Sequence, residues 1–271
     1  MITISVGCQK QSVKQFTFPG GEVGVQIMPH AYADKQEVVS ITAHLKSSDD
    51  ILALLQVNDA VDRQYTCAKK ILNLAYVPYA RQDRVCNEGE SLSIKVFASL
   101  INSCNFYKVK ILDPHSDVTP ASINNCVVKT QVEVFKKIQS NWHETYLVAP
   151  DAGAYKKTHA FGKSVGAAGI ITCNKVRDLK TGTINSLYMQ EDVTGLDLVV
   201  LDDIGDGMGT FIMLAEYLKG AKSKKLCITH GIFSKGKIPL TDCYDHIYTT
   251  NSFHGTVPEE LKDDKITWLE I

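Results

Sequence analysis

The sequence predicts an α/β protein of two lobes, each a mainly parallel sheet flanked by helices. Three observations carry that prediction. Short apolar runs rich in β-branched residues alternate along the chain with stretches of helical period. Several of those runs end in turns bearing Gly, Asp or Arg, the place where open α/β sheets bind ligands. The chain has 271 residues, and its pattern changes near residues 128–135 without a low-complexity linker. That length holds one large or two small cores, and the change divides the chain into lobes 1–130 and 131–271.

In order along the first lobe, strands are predicted over residues 2–6, 23–27, 37–43, 71–77 and 108–112. In the second they are predicted over 145–148, 168–172, 198–201, 225–229 and 246–248. Residues 48–63 are predicted helical. Ser48 can cap that helix, Asp49 and Asp50 suit its first turn, and Ile51, Leu54, Leu55, Asn58 and Val61 recur with helical spacing. Residues 91–103 carry the same period through Ile94, Phe97, Ala98 and Ile101. A third helix runs from Thr210 through Phe211, Ile212, Leu214, Ala215 and Leu218 and stops at Gly220.

Composition narrows the function. Hydrophobic residues make up 44% and charged residues 22%, as in a soluble globular protein. The net charge is −1 and no long basic run occurs, so neither a nucleic acid nor a membrane surface is expected as a partner. No apolar stretch reaches spanning length. The first residues read as a strand and not as a signal peptide. The eight cysteines are scattered without a CxxC pair, which argues against zinc and redox motifs. They are expected as reduced, mostly buried thiols in a cytoplasmic protein.

The run Val199-Val200-Leu201-Asp202-Asp203-Ile204-Gly205-Asp206-Gly207-Met208-Gly209-Thr210 holds the most chemistry. An apolar strand, a Gly-rich turn and a helix start together present free backbone N–H groups to a phosphate. Three Asp beside a phosphate suit sugar hydroxyls or an intervening metal ion. A sugar phosphate meets both conditions, although the same turn chemistry also builds ordinary βα loops. Elsewhere, Tyr79-Ala80-Arg81-Gln82-Asp83-Arg84 brings two guanidinium groups to a strand end, which suits a polyphosphate or a solvated, salt-bridged loop. Asp113-Pro114-His115 ends another strand. An Asp and a His two positions apart on a strand point the same way and could hold or orient a Mg²⁺. Asp151 opens a strand-to-helix turn as an N-cap. Asn174-Lys175-Val176-Arg177-Asp178 begins a polar, thinly apolar stretch of the kind that forms a mobile loop.

The Asp202–Thr210 run resembles the PRPP loop of the type I phosphoribosyltransferase fold. From about residue 18 to about residue 236 the chain resembles the ribose-phosphate pyrophosphokinase family. Residues 79–84 match that family's Tyr-Ala-Arg-Gln-Asp-Arg signature, Phe18-Pro19-Gly20-Gly21-Glu22 resembles its Phe-Pro-Asp-Gly-Glu hairpin, and Asp113-Pro114-His115 resembles its Asp-Leu-His. Lys175 and Arg177 match the Lys-x-Arg of its catalytic flap. The start is shorter than usual in the family, and Gly20 and Gly207 stand where the family has Asp and Thr.

The resemblance implies two tandem type I phosphoribosyltransferase-like lobes. The first would be the ATP side and the second the ribose 5-phosphate side. It implies transfer of the β,γ-diphosphate of ATP to the C1 hydroxyl of ribose 5-phosphate, with Mg²⁺ as cofactor, giving PRPP and AMP. Arg81, Gln82 and His115 would contact ATP, and Phe18 and Glu22 would reach the adenine of a neighbouring subunit. A homo-oligomer, at least a dimer, with an ATP site shared between subunits follows. Asp113, His115 and Asp151 would serve Mg²⁺. Asp202 and Asp203 would hold the ribose hydroxyls, directly or through Mg²⁺, Gly207, Met208, Gly209 and Thr210 would hold its phosphate, and Asp206 would belong to the same ribose 5-phosphate site. Lys175 and Arg177 would be catalytic. Two alternatives share parts of this pattern: a PRPP-consuming phosphoribosyltransferase, which needs neither residues 79–84 nor a duplicated lobe, and a non-catalytic regulatory homologue, which tends to lose flap or loop residues. Finally, the acidic loop 85–93 lacks the Arg that many family members use for activation by phosphate, so weak or absent phosphate dependence is expected.

Overall fold

A computed structural model describes the chain apart from residues 8, 29–37, 178–183, 190 and 238, and apart from the side chains of residues 12 and 174–187. The chain divides into two compact units, Met1–Lys129 and Thr130–Ile271.

The first unit contains β1 (Ile2–Val6), β2 (Gln9–Ser12), β3 (Lys14–Thr17), β4 (Val23–Gln26), β5 (Val38–Ala43), α1 (Ser48–Gln64), β6 (Lys69–Leu74), α2 (Ser93–Ser103), β7 (Lys108–Leu112), α3 (Val118–Ser122) and β8 (Cys126–Lys129). Six strands form one sheet in the order β2-β1-β5-β6-β7-β8. β5 to β8 are parallel, while β1 runs antiparallel to both its neighbours. Alternate residues of β1 and β5, such as Ile4, Val39 and Ile41, bury against Leu54 and Val57 of α1 and Phe97 and Ile101 of α2 in one core.

The second unit contains α4 (Gln131–Phe135), β9 (Thr145–Ala149), α5 (Ala152–Val165), β10 (Gly169–Thr172), β11 (Asn174–Arg177), β12 (Ile184–Tyr188), β13 (Asp197–Gly205), α6 (Gly209–Tyr217), β14 (Ser223–Gly231), α7 (Leu240–Cys243), β15 (His246–Thr250) and β16 (Ile266–Leu269). Its sheet, β10-β9-β13-β14-β15-β16, is parallel at every pairing. β13 explains why the run at 198–201 reads as continuously apolar. Leu198 and Val200 enter one core and Val199 and Leu201 the other, because helices cover both faces of a parallel sheet.

Several expected boundaries move for identifiable reasons. The α1 cap is Ser47, one residue earlier than expected, in a capping box with Asp50. β6 stops at Leu74, not 77, because its neighbours β5 and β7 offer no partner beyond Ala43 and Ile111. Residues 23–26 do not join the main sheet; β4 pairs with the fully exposed β3 as a separate hairpin. β13 runs four residues past the expected end, since the buried second half of β14 pairs with it as far as Gly231. The cysteines are less buried than expected: Cys104, Cys173 and Cys227 are buried, whereas Cys67 and Cys86 are exposed, and all those described are unpaired. No described helix is long and apolar enough to cross a membrane.

At the ends of β13 and β14, Gly205 and Gly231 pair in register. A Cβ on Gly231 would lie 2.5 Å from both Phe233 Cε2 and Thr249 Oγ1, two buried side chains. Gly231→Ala is therefore expected to destabilise the protein by about 1–3 kcal/mol, the usual cost of overpacking a filled core. Chemical denaturation of the variant would measure it, and an unchanged midpoint would refute the packing argument.

Candidate functional site

In the second unit, the strand ends collect acids. Asp202 and Asp203 both lie on β13, and the Asp203 backbone N–H donates to Asp202 Oδ1 at 2.9 Å. Burial, then the charge of Asp203, pushes the Asp202 carboxyl well above the ordinary range, and Asp151 adds in the same direction. That influence places Asp151, Asp202 and Asp203 in one electrostatic cluster. The opposing cation is Lys157 of α5, whose Nζ is 3.4 Å from Asp203 Oδ2. Sequence pattern does not single out Lys157, because it lies among ordinary helix residues six positions after Asp151. Asp151 caps α5, its Oδ1 accepting from the Ala154 N–H at 3.0 Å. A carboxylate can cap a helix and still offer lone pairs to a cation.

Beyond the acids, the chain turns sharply into α6. Met208 takes a left-handed conformation with φ 62° and stands at the N-cap without a capping side chain. The Phe211 and Ile212 N–H groups donate to Met208 O, and no acidic residue occupies the first turn. With no N-cap side chain and no acid in its first turn, the α6 start offers an anion the partial positive charge of a helix N-terminus. The turn after β14 braces this loop. Ile232 N–H and Phe233 N–H donate to Gly205 O at 2.7 and 3.2 Å, and Ser234 N–H donates to Asp206 O at 3.1 Å.

In the first unit, two strand-end loops meet. Asp83, on the loop after β6, accepts from Arg84 Nε at 3.2 Å and is hydrogen-bonded by Ser116, on the loop after β7. Burial raises the Asp83 carboxyl, but the bonds from Ser116 and Arg84 and the charges of Arg84 and His115 outweigh it and hold the group below its usual value. Arg81, Gln82 and His115 are exposed around this brace. The Gln82 side-chain Oε1 accepts from the Ser93 hydroxyl. Strand alternation does not govern Asp113 and His115 as expected, because β7 ends at Leu112 and Asp113 is left-handed with φ 33°. Asp113 is buried and His115 exposed. Phe18 and Glu22 close the turn of the β3–β4 hairpin, where Phe18 N–H donates to Glu22 O at 2.8 Å. The Phe18 ring is half exposed and packs edge-on against Phe16 at 5.0 Å.

The loop 85–93 already holds an anion of its own. Glu90 Oε2 accepts from the Cys86 and Asn87 N–H groups at 2.9 and 3.1 Å, and Oε1 accepts from Asn87 Nδ2 at 2.5 Å. These bonds, the side-chain bond first, lower the Glu90 carboxyl.

Lys175 and Arg177 lie on β11, which pairs antiparallel with β12 as a separate two-stranded ribbon with a register shift between Val176 and Arg177. Their side chains, and residues Asp178 and Gly182 of the expected mobile loop, lie outside the described residues. Two cavities of about 350 and 420 Å³ lie elsewhere, one at the amino ends of β6 and β7 and one beside α5, and neither carries a residue of this set.

Among the described residues, no three His, Cys, Asp or Glu form a ready cage for one metal ion. The hard oxygen donors of Asp151, Asp202 and Asp203 nevertheless fit Mg²⁺, which keeps several waters and takes only one or two carboxylates. Burial first, and the neighbouring Asp203 and Asp151 charges next, raise the Asp202 carboxyl, the setting that a bound cation would relieve.

Residues 1–104 match the family model for the N-terminal domain of ribose phosphate pyrophosphokinase. Two relatives bear the name ribose-phosphate pyrophosphokinase. That of Mycoplasmopsis pulmonis is 28% identical over 249 residues, 89% of this chain and 76% of the relative. That of Thermococcus kodakarensis is 27% identical over 272 residues, 95% of this chain and 94% of the relative. In fold, the crystal structure of phosphoribosylpyrophosphate synthetase from Mycobacterium smegmatis superposes with a TM-score of 0.78, covering 96% of this chain and 86% of that one at 22% identity.

Proposed function

From the premise that this chain belongs to the ribose-phosphate pyrophosphokinase family, we propose that it transfers the β,γ-diphosphate of ATP to the C1 hydroxyl of ribose 5-phosphate. The observation that carries the reading is the α6 start, without an N-cap side chain, a few residues after the part-buried Asp202–Asp203 pair: an anion seat joined to a hydroxyl- or cation-binding end. A sugar phosphate needs both.

The phosphate of ribose 5-phosphate takes the N–H groups of Gly207, Met208 and Gly209 and the Thr210 hydroxyl. Asp202, Asp203 and Asp206 hold the ribose hydroxyls, directly or through Mg²⁺. Arg81 and Gln82 receive the nucleotide, and His115 lies by its phosphates. Phe18 stacks on the adenine of a neighbouring subunit in a homo-oligomer and Glu22 accepts from its amino group, which the outward-facing, half-exposed Phe18 ring supports. Asp113, His115 and Asp151 serve Mg²⁺. Bound Mg²⁺ would neutralise polyphosphate charge and ease ionisation of the attacking hydroxyl. In the transfer, the anomeric oxygen bonds to the β-phosphorus and releases its proton. The bond from that phosphorus to the bridging α-phosphate oxygen breaks, and AMP leaves with the electron pair. Lys175 and Arg177 stabilise the charge on the transferred group.

The test is incubation with ATP, Mg²⁺ and ribose 5-phosphate alone, followed by AMP assay and phosphorus NMR. AMP together with a C1 diphosphate is expected. A PRPP-consuming transferase or a non-catalytic homologue would yield neither, and that result would overturn the proposal.

Regulation follows from Glu90. Its carboxylate fills the loop's donors and Glu88 stands beside it, so a free anion gains little there. Activity in phosphate-free buffer is expected to stay within about twofold of that in phosphate. A strict phosphate requirement in that comparison would show that Glu90 does not hold the loop.

A further inference from the structure

We infer that Lys235 binds the 5-phosphate of the sugar phosphate, a role that rests on the reading above and goes beyond the residues given there. A Cβ built on Gly207 would lie 3.6 Å from Lys235 Cδ and Cε and 3.9 Å from Cγ. The lysine stem therefore runs along Gly207, within the anion-binding turn itself. Gly207 does not have the left-handed φ that would demand glycine. What glycine leaves there is room, and the Lys235 stem borders that room.

The stem is anchored. The turn from Gly231 to Ser234 hangs on Gly205 O and Asp206 O through three backbone N–H groups, and Gly236 N–H closes back on Phe233 O at 2.8 Å. Lys235 thus moves with the loop it overlies. Its ammonium is exposed and has no hydrogen bond or ion pair among the described residues. The neighbouring Lys237, by contrast, is bound to Asp263 at 3.2 Å and to the Lys262 carbonyl, and Lys157 faces Asp203. The loop carries Asp202, Asp203 and Asp206 and no cation of its own. A phosphate seated at α6 therefore enters a negative field, and among the described residues Lys235 is a cation beside the turn without a hydrogen bond or ion pair. A flexible ammonium with three donors suits a phosphate dianion.

The experiment compares the wild-type enzyme with Lys235→Met, which keeps most of the stem, and with Lys235→Arg, which keeps the charge. For Lys235→Met, KM for ribose 5-phosphate is expected to rise about tenfold to a hundredfold, the worth of one charge-assisted bond. KM for ATP and kcat should stay within about twofold, since a uniform binding contact is lost. Lys235→Arg should recover most of the loss. Raising the ionic strength should weaken ribose 5-phosphate binding more in the wild type than in Lys235→Met. An unchanged ribose 5-phosphate KM in Lys235→Met, or an equal rise in both KM values, overturns the inference. Failure of the underlying reading is distinguishable, because the wild-type protein itself would then neither bind ribose 5-phosphate nor release AMP. A Lys235→Met, Gly207→Thr double variant adds a further check. Its new Cβ meets only ordinary contact distances, and its hydroxyl should recover part of the affinity.

Discussion

Replacing Lys175 by alanine is expected to lower turnover about a thousandfold while leaving ATP binding nearly intact. Phosphoryl transfer asks little covalent chemistry of a protein; positioning and neutralisation of developing charge do most of the work, and removing one such cation costs about a hundredfold to a hundred-thousandfold. Lys175 sits on a ribbon, β11–β12, that stands apart from the six-stranded sheet. Such a segment can close over bound substrates without disturbing the core that holds them. Its partner strand β12 runs beside α6, the helix that follows the 202–210 loop. The variant should therefore keep its fold and its nucleotide affinity and lose the step. Steady-state kinetics with titration calorimetry of a non-hydrolysable ATP analogue separate the two. Turnover within tenfold of wild type would remove Lys175 from the mechanism.

Asp202→Asn is expected to act in opposite directions on activity and stability. Burial first, and the Asp203 charge second, raise the Asp202 carboxyl in the folded protein above its ordinary value of 3.8. A group raised this way favours the folded state below its unfolded pKa and loses that contribution as pH rises through the folded value. Near neutral pH the Asp202 carboxyl is therefore a cost to the ligand-free protein. Asparagine removes the titrating group and keeps an oxygen to accept the Asp203 N–H. The ligand-free variant should melt about 2–4 °C higher near neutral pH, with the gain shrinking toward acid. Its catalytic efficiency should fall about a hundredfold, because the proposed contact of Asp202 with the ribose is gone. Thermal melts across pH, paired with kinetics, decide the matter. A lower melting temperature at every pH would show that the carboxylate supports the fold rather than burdening it.

The α/β architecture was legible because its signals are strong. The β13 run is apolar without alternation, which marks a strand covered on both faces, and α1 and α2 show clean helical spacing. The short elements were not legible for equally physical reasons. β3 is exposed along its whole length and has no alternation to read. β11 carries a single apolar residue, Val176, and β12 shows no regular alternation to read. The end of β13 was missed because two Asp read as a turn, whereas the register with β14 carries the strand through them. At the site, the loop 202–210 was readable from its glycines. Lys157 and Lys235 were not, since each reaches the loop from another element, and only folding brings them there. The commitment of Asp83 to a brace between two loops was equally invisible.

Four non-glycine residues, Tyr79, Asp113, Met208 and Phe233, adopt left-handed backbone angles just after β6, β7, β13 and β14. Each such conformation typically withholds about 1–3 kcal/mol from a fold. Anyone seeking a hardier variant by directed evolution will thus be drawn to relax these corners. Heat resistance won there would reshape the loops that carry the proposed ligand contacts, and it is expected to come with weaker activity.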